Sequence, residues 1–504
     1  MKKIAVLVGI CVIGALPVRS EEVHSHPPPE KLGRVSFATS CAARVAHDFE
    51  RSVALLHSFA YTASEQSFRK VAAADPACAM AHWGIAMSYY HQLWSPPSAD
   101  ELREGQREIQ EAGRLDVVSP RERQFIAAAA AYYADPTRAP ALRAKAYSDA
   151  MGEAARSNPE DTEVQVFYAL SLIAIAPPED ATHANQKRAA AILEAVYRAQ
   201  PQHPGAAHYL IHAYDNAELA PRGLAAARAY SKIAPSAPHA LHMPSHTFTR
   251  LGLWDDSIVS NRAARAAAHD QGDQGEELHA MDYLTYAYLQ LGRLADAQRV
   301  VAELRTMGAT AGGDFKIGYA ATAMPVRLAI ERQAWSDAVE LQRLPASAPH
   351  VAALIYWAHA MANARGGHAA AAAADIAQLE AAREQLRAAG NIYWSTQVDV
   401  LDKEAKAWQV AASANPSESV QLLRQAADEE DAVEKLPVTP GPVVPAREQL
   451  GELLLQLNQP AEALREFRAA LVLAPGRRGA LLGGAQAAER LGDGKTAREM
   501  RAKL

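Results

Sequence analysis

The chain of 504 residues carries 18 histidines, and eight of them fall between His203 and His279, where an even spread would place about three. Their spacing is more informative than their number. His208 and His212 are four residues apart, as are His242 and His246, and the second pair follows the first after 34 residues. Each pair belongs to a triplet with i, i+3, i+7 spacing: Gly205, His208, His212, then His239, His242, His246. A third triplet, His279, Asp282, Tyr286, follows after an insertion of six residues. In a helix this spacing places all three positions on one face. Neutral imidazole is the commonest metal ligand and carboxylates complete such sites. The set His208, His212, His239, His242, His246, His279 and Asp282 is therefore a candidate site for one or two transition-metal ions, with Zn²⁺, Cu²⁺, Ni²⁺ or Fe²⁺ all compatible.

Other polar residues occupy the same face or adjoin it. Asp215 follows His212 by three residues, and Arg250 follows His246 by four. Arg250 would serve an anionic ligand or hold Asp282, and Arg327 repeats the position of His212 and His246 further along the chain. His57 and His91 are also 34 residues apart and extend the candidate surface with Met80, Met87 and Trp83, although packing is the better account of the Met and Trp. His24 and His26 lie in a loose N-terminal stretch. Without metal, the same histidines would bond one another or take a peptide carboxylate. Neither HxxxH pair has the Glu that a zincin protease needs as base. Asp215, Asp282 or Tyr286 would be the only nearby bases, so enzymatic activity ranks last. The chain has no Walker loop, GxGxxG, GxSxG or CxxC. One conflict is local: Pro244 separates His242 from His246 and predicts a kink or a late helix start, and Met243-Pro244 recurs as Met324-Pro325.

The elements that hold these residues repeat. From Ala446 the sequence reads AREQLGELLLQLNQPAEALREFRAALVLAP, with Gly451, Leu454, Ala463, Phe467, Ala470 and Pro475 at fixed offsets. Ala485 and Ala497 take the places of Gly451 and Ala463 one repeat later. Phe49, Leu55, Tyr61, Phe68 and Pro76 fit the same frame. So do Gly252, Trp254, Ser257 and Ala264, and then Leu284, Tyr288, Gly292, Leu294 and Ala297. The segment 315–341, with Trp335 and Ala338, is another unit. This pattern resembles the tetratricopeptide repeat (TPR), a helix–turn–helix of about 34 residues, as found in exported bacterial proteins of that type. The resemblance implies an all-α fold, a right-handed α-solenoid of TPR-like hairpins, in which the first helix of each hairpin lines a concave groove. The histidines would then face that groove, since Ala207, Leu210, Ile211 and Tyr214, with their counterparts in later repeats, supply the packing stripe. A protein or peptide partner in the groove, bound without metal, is what the resemblance implies as the alternative function.

The repeats are expected over 36–426, with an insertion at 93–120 and a glycine-rich loop at Gly308, Gly312 and Gly313. An acidic and Pro-rich linker follows at 427–445 and a C-terminal TPR pair at 446–504. Residues 21–35 read as flexible. Residues 1–20 read as a signal peptide: Lys2 and Lys3, an apolar run from Ile4 to Leu16, and Val18-Arg19-Ser20 before the cleavage point. The expected product is exported, periplasmic or extracellular, with no transmembrane segment. Cleavage takes the net charge from −6 to −9, which disfavours nucleic acid as a partner. Cys11 leaves with the leader. Cys41 and Cys78 each precede the first helix of consecutive repeats, and an oxidising compartment lets them pair. Thiol titration of the processed, denatured protein is then expected to find no free thiol; two would refute the pairing.

Overall fold

The computed structural model describes residues 30–93, 96–117, 119–307, 315–412 and 415–504. The leader, the residues through 29 and the glycine-rich loop lie outside them. Lys31–Leu504 forms one compact unit. Among the described residues every regular element is helical, and successive helices pack against one another along the chain, so the fold is an all-α, TPR-like solenoid. The small-against-large rule of the repeat explains the tight crossings. A Cβ on Gly84 would lie 2.4 Å from the Phe68 ring, and one on Gly451 would lie 2.8 Å from Phe467. The stretch 93–120 is not a plain insertion: its helix, Ala99–Arg114, packs against Ala79–Tyr89 as an ordinary hairpin partner. Ser98 and Glu101 start that helix with a reciprocal capping box, which satisfies two of its orphan N–H groups. Cys41 and Cys78 are disulfide-bonded, with Cα atoms 4.7 Å apart.

Two prolines in equivalent places behave differently. Pro244 ends one helix, Pro238–His242, and opens another, Pro244–Arg250, with Met243 as the hinge. Pro325 lies inside the uninterrupted helix Phe315–Glu331, so the break is not a general feature of the repeats.

The Pro-rich segment is not a spacer. The helix Pro416–Asp431 contains the acidic run, and the chain then turns back across the first helices of the central repeats. The Glu434 amide donates to the Pro178 carbonyl. Lys435 lies 3.3 Å from Asp215, and the Leu436 N–H donates to the Tyr393 hydroxyl. The Pro437 and Thr439 carbonyls lie 3.2 Å from the Tyr283 hydroxyl, and the Arg327 guanidinium donates to the Pro442 carbonyl and the Thr439 hydroxyl. Val438, Thr439 and Val443 are buried. Residues 434–443 thus form a strap held at successive positions by the central repeats and by Tyr393.

The C-terminal pair is joined to the rest by the same closure. One hydrophobic cluster runs from Tyr319 to Met500. The turn after Leu473 docks on the central repeats: Trp254 donates to the Gly476 carbonyl at 3.1 Å, and the Arg478 amide donates to Gln290. Gly252 makes this docking possible. Its φ is +68°, and a Cβ there would meet the Pro475 carbonyl oxygen at 2.2 Å. Gly272 has nearly the same φ, +70°, but nothing within 4 Å. Gly272→Ala should therefore cost only the left-handed penalty of about 1–2 kcal/mol. Gly252→Ala should cost clearly more, because the backbone it strikes cannot yield; denaturant melts of both variants check the order.

Candidate metal centre

The helix Pro204–Ala213 presents His208 and His212 one turn apart. His239 and His242 come from Pro238–His242, His246 from Pro244–Arg250, and His279 from Gln274–Gln290. The break at Met243 does not separate its flanking histidines. The Nε2 atoms of His242 and His246 are 3.0 Å apart, and those of His208 and His212 are 3.1 Å apart. The six imidazoles form two sets rather than one. His208, His212 and His239 bring a ring nitrogen each within 4.8 Å of one another, as do His242, His246 and His279. The sets touch: the rings of His212 and His246 are 6.0 Å apart, and those of His239 and His242 are 6.1 Å apart.

Hydrogen bonds decide which nitrogen of each ring is available. The Nδ1 of His208 lies 2.6 Å from the His57 carbonyl, which only accepts, so that Nδ1 carries the proton. The Nδ1 of His246 lies 2.9 Å from the Asp215 carboxylate, and that of His239 lies 3.1 Å from Glu276. The Nδ1 of His242 lies 2.6 Å from Oδ1 of Asn261, whose Nδ2 donates to the Ser257 carbonyl and so fixes the amide. Each of these four rings, when neutral, carries its proton on Nδ1 and leaves Nε2 unprotonated. For His208 and His212 a tautomer relieves the contact, because His212 can donate. For His242 and His246 it cannot while both Nδ1 protons stay on Asn261 and Asp215: two lone pairs face each other at 3.0 Å, and the Tyr283 hydroxyl, 3.5 Å from His246 Nε2, is closer to the Pro437 and Thr439 carbonyls, at 3.2 Å.

A proton between them is disfavoured. Burial holds His242 well below its ordinary pKa, and the His246 imidazole adds to the shift. Burial also lowers His246, and the bond to Asp215 only offsets part of this. The charge of Asp215 is already met by Arg250, at 2.9 Å, and Lys435, at 3.3 Å. What suits two converging lone pairs in that setting is a metal cation. Ligating histidines anchored through their other ring nitrogen to a carboxylate, carbonyl or amide are the usual outer support of such centres.

The remaining candidate residues do other work. Asp282 does not join the histidines: Arg327 takes its carboxylate at 2.9 Å, and both side chains are fully buried. Arg327 also lies 5.2 Å from the centre of the Tyr286 ring, so Tyr286 stacks on cations away from the histidines. Arg250 holds Asp215 and Glu434, not Asp282. His91 sits beside Tyr61, at 4.7 Å between rings, outside both sets. The face that carries the histidines is buried rather than an open groove; Phe59 covers the first set, 4.5 Å from the His208 ring.

His57 belongs to a third cluster, with Glu163 and His203, which sequence reasoning missed. Here the hydrogen bonds close. Tyr209 donates to His57 Nδ1, and the Ala206 amide donates to His203 Nδ1. Both Nε2–H groups then donate to Glu163, each at 2.9 Å. No nitrogen is left for a metal, so this cluster is a structural brace whose His57 carbonyl orients His208. Gly205 was the available signal: a Cβ there would sit 2.6 Å from His57 Nδ1. Asn261 and Glu276, which orient two ligand candidates, were likewise unmarked in the sequence.

The fold and site define a TPR-like helical scaffold with a buried double histidine cluster. No family model matches the chain, and no curated protein matches it. Among solved structures it is similar to the human IFIT1 dimer with m7Gppp-AAAA, at 13% identity and a TM-score of 0.35, covering 84% of this chain and 89% of that one. It is also similar to Naa15/Naa10 bound to HypK-THB, at 12% identity and a TM-score of 0.25, covering 92% and 68%. No described helix is long and apolar enough to cross a membrane.

The buried imidazoles set a pH dependence. Burial, then neighbouring histidines, hold His208, His212 and His242 well below 6.5. Burial and then His242 do the same for His279. Below about pH 6.5 the unfolded chain takes up protons that the folded chain refuses, so stability must fall with pH, by about 1.4 kcal/mol per pH unit for each such imidazole. The metal-free protein is expected to melt at a lower temperature at pH 5.5 than at pH 7.5, and an unchanged midpoint would contradict the neutral assignment.

Proposed function

We propose that this protein is an exported helical scaffold that binds two transition-metal ions, one in each histidine triplet, for storage, delivery or reactivity. The supporting observation is the pair of Nε2 lone pairs on His242 and His246, 3.0 Å apart, with both Nδ1 protons committed to Asn261 and Asp215. Three neutral imidazoles per ion suit Zn²⁺, Cu²⁺, Ni²⁺ or Fe²⁺ and leave room for a further ligand.

A second reading is a protein-interaction scaffold, and one observation favours it. The strap is held as a peptide would be, by donors to its main-chain carbonyls: Tyr283, Arg327 and, at Val443, Arg477. A partner peptide using that path would displace residues 434–443. Catalysis on the metal remains the lowest-ranked reading, because the carboxylates beside the triplets, Asp215 and Glu276, are each taken by an imidazole and by cations.

Metal analysis of protein made without a histidine tag or nickel column separates the first two. Two equivalents of metal per chain are expected, falling to about one in His242→Ala/His246→Ala, with a lowered melting temperature restored by no added metal. Less than one equivalent in the parent, unchanged in the double variant, refutes metal binding.

A further inference from the structure

The two triplets differ in access. His242, His246 and His279 have no solvent-exposed surface, while His212 retains 7% and His239 retains 2%. His212 forms part of the wall of a cavity of about 320 Å³, together with Lys435 and Asn216. His239 forms part of the wall of a second cavity of about 930 Å³. A closed set of ligands makes a structural metal site, whereas one that meets a cavity keeps an exchangeable position.

Charge identifies what fills that position. Three imidazoles are neutral and leave a divalent ion uncompensated in a buried place. The nearby acids are already matched: Asp215 and Glu434 with Arg250 and Lys435, and Glu276 with His239 and Lys316. The balancing charge must come from outside. The smaller cavity offers Lys435 beside His212, with Asp215 and Glu434 in the same wall already held by Arg250, and an apolar wall formed by Tyr132, Ile173 and Leu436. Its volume is at the lower end of what small-molecule sites enclose.

We propose that the His208–His212–His239 centre binds a small organic carboxylate from this cavity, its head group on the metal beside Lys435 and its apolar body against Tyr132, Ile173 and Leu436. The inference rests on the metal reading of that triplet and concerns that triplet alone, since His242, His246 and His279 line neither cavity.

The test uses full-length processed protein loaded with Cu²⁺, its occupancy measured first. Azide serves as the probe for an exchangeable position and benzoate as the carboxylate. Azide is expected to raise a charge-transfer band that saturates at one of the two coppers, and benzoate is expected to suppress it. Ala144→Trp, which narrows the cavity from its outer helix, should leave the azide band and weaken benzoate competition about tenfold or more, equivalent to about 1.4 kcal/mol. Lys435→Gln should weaken benzoate similarly, its copper loading being measured again because Lys435 also balances Asp215 beside His246, and thermal melts establish that both variants fold. Two coppers with no azide band, or benzoate competition unchanged in both variants, overturns the carboxylate site while leaving metal binding intact. Failure to load copper overturns both, and is seen before azide is added.

Discussion

The structure depends on where the imidazole protons sit. A buried polar ring has to satisfy both nitrogens or lose their hydration without return. His57 and His203 meet that condition within protein, through Tyr209, Glu163 and the Ala206 amide. His242 and His246 meet it on one side only, and the other sides face each other. Two buried histidine pairs therefore have opposite chemistry. Counting histidines does not distinguish them, whereas the acceptors on Nδ1 do. The repeat supplies the geometry: stacking hairpins in a fixed frame brings equivalent turns of neighbouring helices together, so residues 34 apart in sequence become neighbours in space.

Burying these rings needs a cover, and part of it is the strap. Proline is well suited to that role. A Pro-rich segment has few N–H groups to satisfy, so entering a packed site costs it mainly the hydration of its carbonyls. Those carbonyls find fixed donors, Tyr283 at Pro437 and Thr439, Arg327 at Pro442, and Arg477 at Val443. The arginines are themselves anchored on Asp282 and Glu448. An arrangement of this kind replaces a row of solvent contacts by fixed donors, two of them charged and themselves anchored by carboxylates.

The all-α repeat fold was legible because the small and large positions of each hairpin recur in sequence and are the positions that set the helix crossings. The histidine cluster was legible for the same reason, since its spacing follows the frame. What escaped notice lacked a period. Glu163, Asn261 and Glu276 orient histidines from other helices, and no sequence interval connects them to their partners. Asp282 was misplaced because register alone puts it beside His279, while Arg327 on the next hairpin claims it. The strap was misread because proline marks an extended chain equally well whether that chain spans solvent or lies on protein. Ala99–Arg114 was passed over although Ser98 and Glu101 spell a capping box, a signal that was present and unused.

The strap and the centre are also coupled through charge. Asp215 accepts from His246 Nδ1 while Arg250 and Lys435 balance it. Desolvation pulls the Lys435 ammonium down to about 8, with Asp215 opposing, so the ion pair spans the junction between strap and helices. Remove Lys435 from that junction and Asp215 keeps a larger unmet charge. An unmet carboxylate beside an imidazole favours the imidazolium, and an imidazolium has no lone pair for a metal. Seating the strap therefore does more than exclude water. It keeps Asp215 an orienting acceptor for a neutral His246, which is the state in which Nε2 remains a ligand.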